Sequence, residues 1–332
     1  TNISVTNFKY RSSYEQSLTP RVCSLLQTFF ELNGWYFLYQ KVNSFRRVQI
    51  YVEILMNISY SASRCFCKIY FEAAAIGIRK LLTSLGTNDL RSLSLSQVDT
   101  LMNILSINIM PRIRDSPLKV AEYKETFFLE FSLFLFNCDV LPRRIDGLQR
   151  FLDLADSTNR YSMKSSKFLK AENILICIRE ERLLYEILKV GQHLEVLKRA
   201  TDILKWISSQ GNLQLDDVDM LWEAGNTNGR DVDATALVYK IICDLSSQYN
   251  EEHYNHFSNI FSDETIESIN AQKLNTMAEL GNEGARKSQE ASSKIGQILL
   301  GFCLSATPIV DGAIDAFIKF VKSYFLKSQR SE

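Results

Sequence analysis

Apolar residues recur along this chain at the helical period, almost without interruption. Ala234, Leu237, Val238, Ile241, Ile242 and Leu245 fall at i, i+3, i+4, i+7, i+8 and i+11. A helix through them carries one apolar stripe and one polar face. Leu194, Leu197, Thr201 and Leu204 keep the same register, as do Ile145, Leu148, Leu152 and Ala155, and later Ala313, Phe317, Phe320 and Tyr324. Alternation with period two is never sustained. Only 13 glycines and 5 prolines occur in 332 residues, too few for the turns of a β domain or the glycine-rich loops of an α/β fold. The periodicity therefore predicts an all-α chain of roughly 14 helices, each about 12 to 20 residues long.

Helices with one apolar face must stack to bury it. Repeats of two or three helices spanning ~40–47 residues are the armadillo/HEAT scale. The expected architecture is thus an irregular α-solenoid running through residues 19–327, with residues 1–18 an irregular edge. The punctuation agrees with this. Thr19-Pro20 and Thr307-Pro308 pair a cap with a proline at the first helical position. Asn250-Glu251-Glu252 places a cap and two acids at a positive helix end. Gly34, Gly86, Gly191, Gly211 and Gly281 are expected to end helices in the left-handed conformation. Irregular connections are expected at 108–117 and 157–166. Residues 270–297, poor in large apolar side chains, are expected to pack loosely. A non-methionine start and an abrupt end suggest a piece of a longer protein.

Composition narrows the function classes. Hydrophobic residues make up 46% of the chain, enough for a full core. Thirty-eight basic residues balance 38 acidic ones, which argues against a nucleic-acid partner that would need a basic stripe. No apolar run reaches the ~18 residues of a membrane span. Phe127 to Phe136 is the richest candidate, but it is short and carries Glu130. Seven cysteines without framework spacing fit reduced thiols in the cytoplasm or nucleus.

Tests for catalytic chemistry fail one after another. Only three histidines, His193, His253 and His256, are present, and none stands in a glycine-rich or aromatic box beside a cysteine. His253-x-x-His256 could share a metal, but no third ligand stands at a suggestive spacing. Cys65-x-Cys67 lacks the two-residue gap of a redox or zinc pair. Asp216-Asp217-Val218-Asp219 has Met220 where a diphosphate-metal box needs its last acid, and reads better as the acidic first turn of a helix. No phosphate-binding glycine loop or nucleophile elbow occurs. No metal, cofactor or small-molecule ligand is expected.

One ordered set of motifs carries a resemblance. Leu213-Gln214-Leu215-Asp216-Asp217-Val218-Asp219-Met220-Leu221-Trp222 leads into a long amphipathic helix and then Tyr254-Asn255-His256-Phe257, closing on Phe261. Leu32-Asn33-Gly34-Trp35, Arg144-Ile145-x-Gly147-Leu148, Lys170-Ala171-Glu172 and Pro308-Ile309-Val310-Asp311 stand in matching order. This set resembles the armadillo-like helical region of the large fat-facets-type ubiquitin-specific proteases. The stretches 157–166 and 270–297 depart from it. The resemblance implies a non-catalytic segment of a cysteine-type deubiquitinase whose protease domain lies outside this chain. It would bind proteins: substrates, adaptors or the parent's own catalytic domain. No catalytic residue carries over, because no position matches one. Trp222 is expected as a structural anchor, with Leu213, Leu215, Leu221, Phe257 and Phe261 beside it. A free-standing armadillo-like adaptor is the alternative.

Overall fold

The computed structural model describes residues 79, 82–83, 85–96, 98–99, 117–159, 168–304 and 310–328, with the single positions 24, 25, 28, 32 and 50. Residues 1–18, the proline caps at Thr19-Pro20 and Thr307-Pro308, Asn33-Gly34-Trp35, Cys65-x-Cys67 and all of the expected connection at 108–117 except Pro117, which begins a helix, lie outside them. Every regular element among the described residues is helical, with no strand. The contacts divide the chain into two compact units, Thr1–Lys170 and Ala171–Glu332. Sequence gave no sign of this boundary, because the apolar stripes continue on both sides of it.

The first unit contains α1 (Thr87–Ser92), α2 (Pro117–Phe136) and α3 (Leu141–Asn159). On α2, Phe127, Phe131 and Leu135 stand at i, i+4 and i+8 and are fully buried. The Phe127 and Phe131 rings stack with centroids 5.6 Å apart. Leu148, Leu152 and Ala155 of α3 supply the facing stripe. The two helices meet at Gly147, where an added Cβ would lie 2.6 Å from the Phe136 nitrogen and the Ser132 oxygen. Only glycine permits that approach. Arg143 donates to the Leu90 and Leu93 carbonyls at 2.9 and 2.6 Å, satisfying acceptors around the end of α1. Glu125 accepts the amides of Phe168 and Leu169 at 3.0 and 2.7 Å.

The second unit contains α4 (Ala171–Glu180), α5 (Leu183–Leu188), α6 (Leu194–Ser209), α7 (Leu215–Asn226), α8 (Val232–Asp244), α9 (Glu251–Ser262), α10 (Ala271–Gly284), α11 (Gln289–Leu304) and α12 (Val310–Ser328). Alternate helices touch in two successions: α5, α7, α9 and α11 in one, and α6, α8, α10 and α12 in the other. Caps define the starts. The side chains of Asp231, Asn250 and Asn270 accept backbone amides at the first turns of α8, α9 and α10, as these residue types do. Gly191 and Gly211 take φ of 81° and 67°, the left-handed conformation expected after α5 and α6.

Two other glycines do not take that left-handed conformation. Gly86 lies in extended backbone before α1, and Gly281 stands inside α10, where an added Cβ would come within 2.9 Å of the Phe320 ring. The same ring covers Gly296 of α11, Tyr239 covers Gly225 and Tyr254 covers Gly284, each so closely that an added Cβ would come within 2.7, 2.9 and 2.8 Å of it. Aromatic rings laid on bare helix backbone are a recurrent joint of this unit. They also account for residues 270–297, where the expectation of loose packing is wrong. Leu274, Met277, Ala278, Leu280 and Ile295 are fully buried, and the Ser292 hydroxyl donates to the Gly281 carbonyl at 2.7 Å. Small residues there permit close approach, so few large ones are needed to fill the space.

Candidate functional site

The Leu213–Phe261 motif folds into a single polar and aromatic cluster. Asp216 and Asp217 form the acidic first turn of α7. Asp217 accepts the Gln214 amide at 3.0 Å, which ties down the helix start. Its carboxylate, with no exposed surface, receives both terminal nitrogens of Arg179 on α4, one at 2.7 Å. A buried carboxylate held by a two-pronged guanidinium is a strong fixed contact. Hydrogen bonding to Asp217 raises the Arg179 pKa against the opposing effect of burial.

One turn and a half further along, Leu221 and Trp222 are buried. The Trp222 ring meets Tyr239 of α8 edge-on at 5.6 Å and lies 5.0 Å from Phe261 of α9. Phe257 and Phe261, both fully buried, continue the aromatic core to Tyr249. Leu213 and Leu215 are only half-buried. They border this core without being part of its interior.

Glu264 and Lys273 complete the cluster. The Trp222 indole nitrogen donates to one Glu264 oxygen at 2.9 Å, and Lys273 binds the other at 2.7 Å. Ser268 also donates to that second oxygen. The Lys273 ammonium stands 5.7 Å from the centre of the Trp222 ring, within cation–π reach. The pair is 5% and 9% exposed. Burial pushes the Glu264 carboxyl up, but hydrogen bonds from Lys273, Ser268 and Trp222 outweigh it and leave the pKa below its ordinary value. The sequence offers no signal for this pair. A long turn separates the two residues, and only the fold reveals that they share Trp222.

The histidines part company. His256 on α9 reaches Asp219 on α7, with Nε2 2.6 Å from the carboxylate. His253 is buried at the start of α9 against Asn250 and the Tyr249 ring. Among the described residues no group of three or more histidine, cysteine or acidic side chains could hold a metal. Burial raises the thiol pKa of Cys177, Cys243 and Cys303, that of Cys177 to about 11. Such thiols stay protonated at neutral pH and are poor nucleophiles. Among the described residues no helix is long and apolar enough to cross a membrane.

Burial is the main cause that lowers the His253 pKa below its ordinary value of 6.5, with the Leu213 backbone, Glu252 and Asp217 opposing it. A lowered folded pKa means the unfolded chain takes up the proton first. Stability should therefore be complete above pH 6.5 and decline as pH falls through the folded value. Urea midpoints at pH 7.5 and 5.5 would read this effect, and His253→Asn should flatten the slope relative to the wild type.

The chain is thus an all-α protein whose best-defined cluster is structural in its contacts. It ties five helices together through one tryptophan, one buried ion pair and one whose carboxylate alone is buried. Comparison with family models, curated proteins and solved structures found no match to the chain.

Proposed function

We propose that this chain is a non-catalytic α-solenoid segment of a large fat-facets-type ubiquitin-specific protease, acting as a protein-binding scaffold in ubiquitin removal. The observation that carries the reading is the Leu213–Phe261 motif, quoted above for its resemblance to that family. Its landmark residues Leu221, Trp222, Phe257 and Phe261 share one buried core. A motif that serves packing fits a scaffold better than an active site. The succession of contacts between alternate helices supports stacking of the solenoid kind. The raised thiols of Cys177, Cys243 and Cys303 favour a segment without its own cysteine nucleophile.

A ubiquitin active-site probe tests the non-catalytic part. The isolated chain should remain unlabelled at all seven cysteines, and covalent labelling of any of them would overturn it. The native size tests the rest. An antibody against the segment should detect a band several times larger than 38.2 kDa. A band at that mass would favour the adaptor alternative.

A further inference from the structure

We propose that the cleft between α5 and α7 is a docking site for an acidic, partly apolar segment of a partner protein, its carboxylate meeting Arg230 and its apolar side chain meeting Tyr185 and Met220.

The cleft measures about 170 Å³ and is walled by Tyr185, Leu188, Val190, Met220 and Ala224. It lies below the ~300–1,000 Å³ of sites that enclose a small molecule, and suits one or two side chains of a longer ligand. Tyr185 and Val190 are each 45% exposed, so apolar surface faces solvent at its mouth. Occupancy by an apolar side chain would remove that surface from water.

Arg230 supplies the specificity. One of its terminal nitrogens donates to the Leu188 carbonyl, and its Nε is sealed from solvent without a hydrogen-bond partner. Among the described residues no carboxylate pairs with it. Arg179 and Arg199 of the same unit, by contrast, each hold an aspartate. Glu223 also lines the cleft but stands exposed without an ion-pair contact to Arg230, and Lys189 is tied to Glu186. Burial lowers the Arg230 pKa with no acid to offset it. A partly desolvated guanidinium lacking a counter-ion is completed by a carboxylate that meets its terminal nitrogens, the sealed Nε taking no part. Arg182 brings a second cation to Tyr185, one of the walls. Its guanidinium lies 4.5 Å from the centre of the Tyr185 ring, and its backbone takes φ of 50°, a strained value for a non-glycine residue.

The inference rests on the scaffold reading only in needing a protein partner; the ubiquitin-protease assignment is not required. Methyl-labelled methionine in the full chain gives a local readout, because Met220 is one of six methionines and is assigned by Met220→Leu. The probe is the peptide acetyl-Leu-Asp-Leu-Glu-amide, compared with its uncharged Asn/Gln counterpart. The acidic peptide should shift the Met220 methyl resonance saturably, with the uncharged peptide binding at least about tenfold more weakly. Arg230→Gln should weaken the acidic peptide by a similar factor. That variant also loses the bond to Leu188, so Tyr185→Ser is the control. It should weaken binding while leaving the melting temperature unchanged. Absence of a saturable shift up to about 5 mM peptide, or equal binding of both peptides, would overturn the proposal. The same saturable shift with inorganic phosphate alone would make this a bare anion site and overturn it too. The ubiquitin-probe experiment can fail without touching any of these outcomes.

Discussion

Trp222→Ala should destabilise the second unit by about 3–5 kcal/mol, the range for removing a large buried aromatic side chain. The ring is 4% exposed and borders Tyr239, Phe261 and Lys273. Its removal would open a cavity against three helices at once, and their glycine-backed joints leave little room to collapse into it. Trp222→Phe separates packing from polarity. It keeps most of the ring area but deprives Glu264 of the indole donor, and should cost about 1–3 kcal/mol. Urea denaturation with an unchanged slope would measure both changes. A loss below about 1 kcal/mol for the alanine variant would mean that Trp222 is not a core residue.

The second large effect is expected from Lys273→Met, which preserves length and volume but removes the ammonium. Glu264 would be left buried with Trp222, Ser268 and Asn226 and no cation. Breaking a buried pair from one side costs about 3–5 kcal/mol. Glu264→Gln should cost less alone. The double variant should be markedly more stable than the sum of the singles predicts, because neither charge is then stranded. Additivity within about 0.5 kcal/mol would mean the two residues do not interact. Acid adds an independent check. The folded Glu264 pKa lies below its ordinary 4.5, so its contribution is present above that value and lost as pH falls through the folded one. Lys273→Met should blunt this acid limb.

The parts legible in the sequence are those determined by short-range spacing. The stripe Ala234–Leu245 gives α8, the Asn250 cap gives the start of α9, and Leu221-Trp222 lies where a buried face was expected. Four features were not legible, each for a definite reason. Lys273 is charged, so hydropathy assigns it to solvent, and only a partner across a turn makes its burial tolerable. Gly281 looks like a helix stop, because a sequence does not tell which ring will lie over it. Gly284, Ser292 and Gly296 read as weak packing, since apolar content measures area removed from water and not closeness of approach. The boundary at Lys170 and Ala171 follows from which contacts form, and local pattern is blind to it.

The succession of alternate-helix contacts carries a consequence for biosynthesis. Among the described residues of the second unit, every extensive helix–helix contact joins elements no more than two helices apart. Loop closure between such neighbours is cheap and rapid compared with pairing the ends of a long chain. As each helix leaves the ribosome, its partners have already emerged or follow within two helices. Folding of this unit can therefore proceed in the order of translation, with α12 closing over Gly281 and Gly296 last.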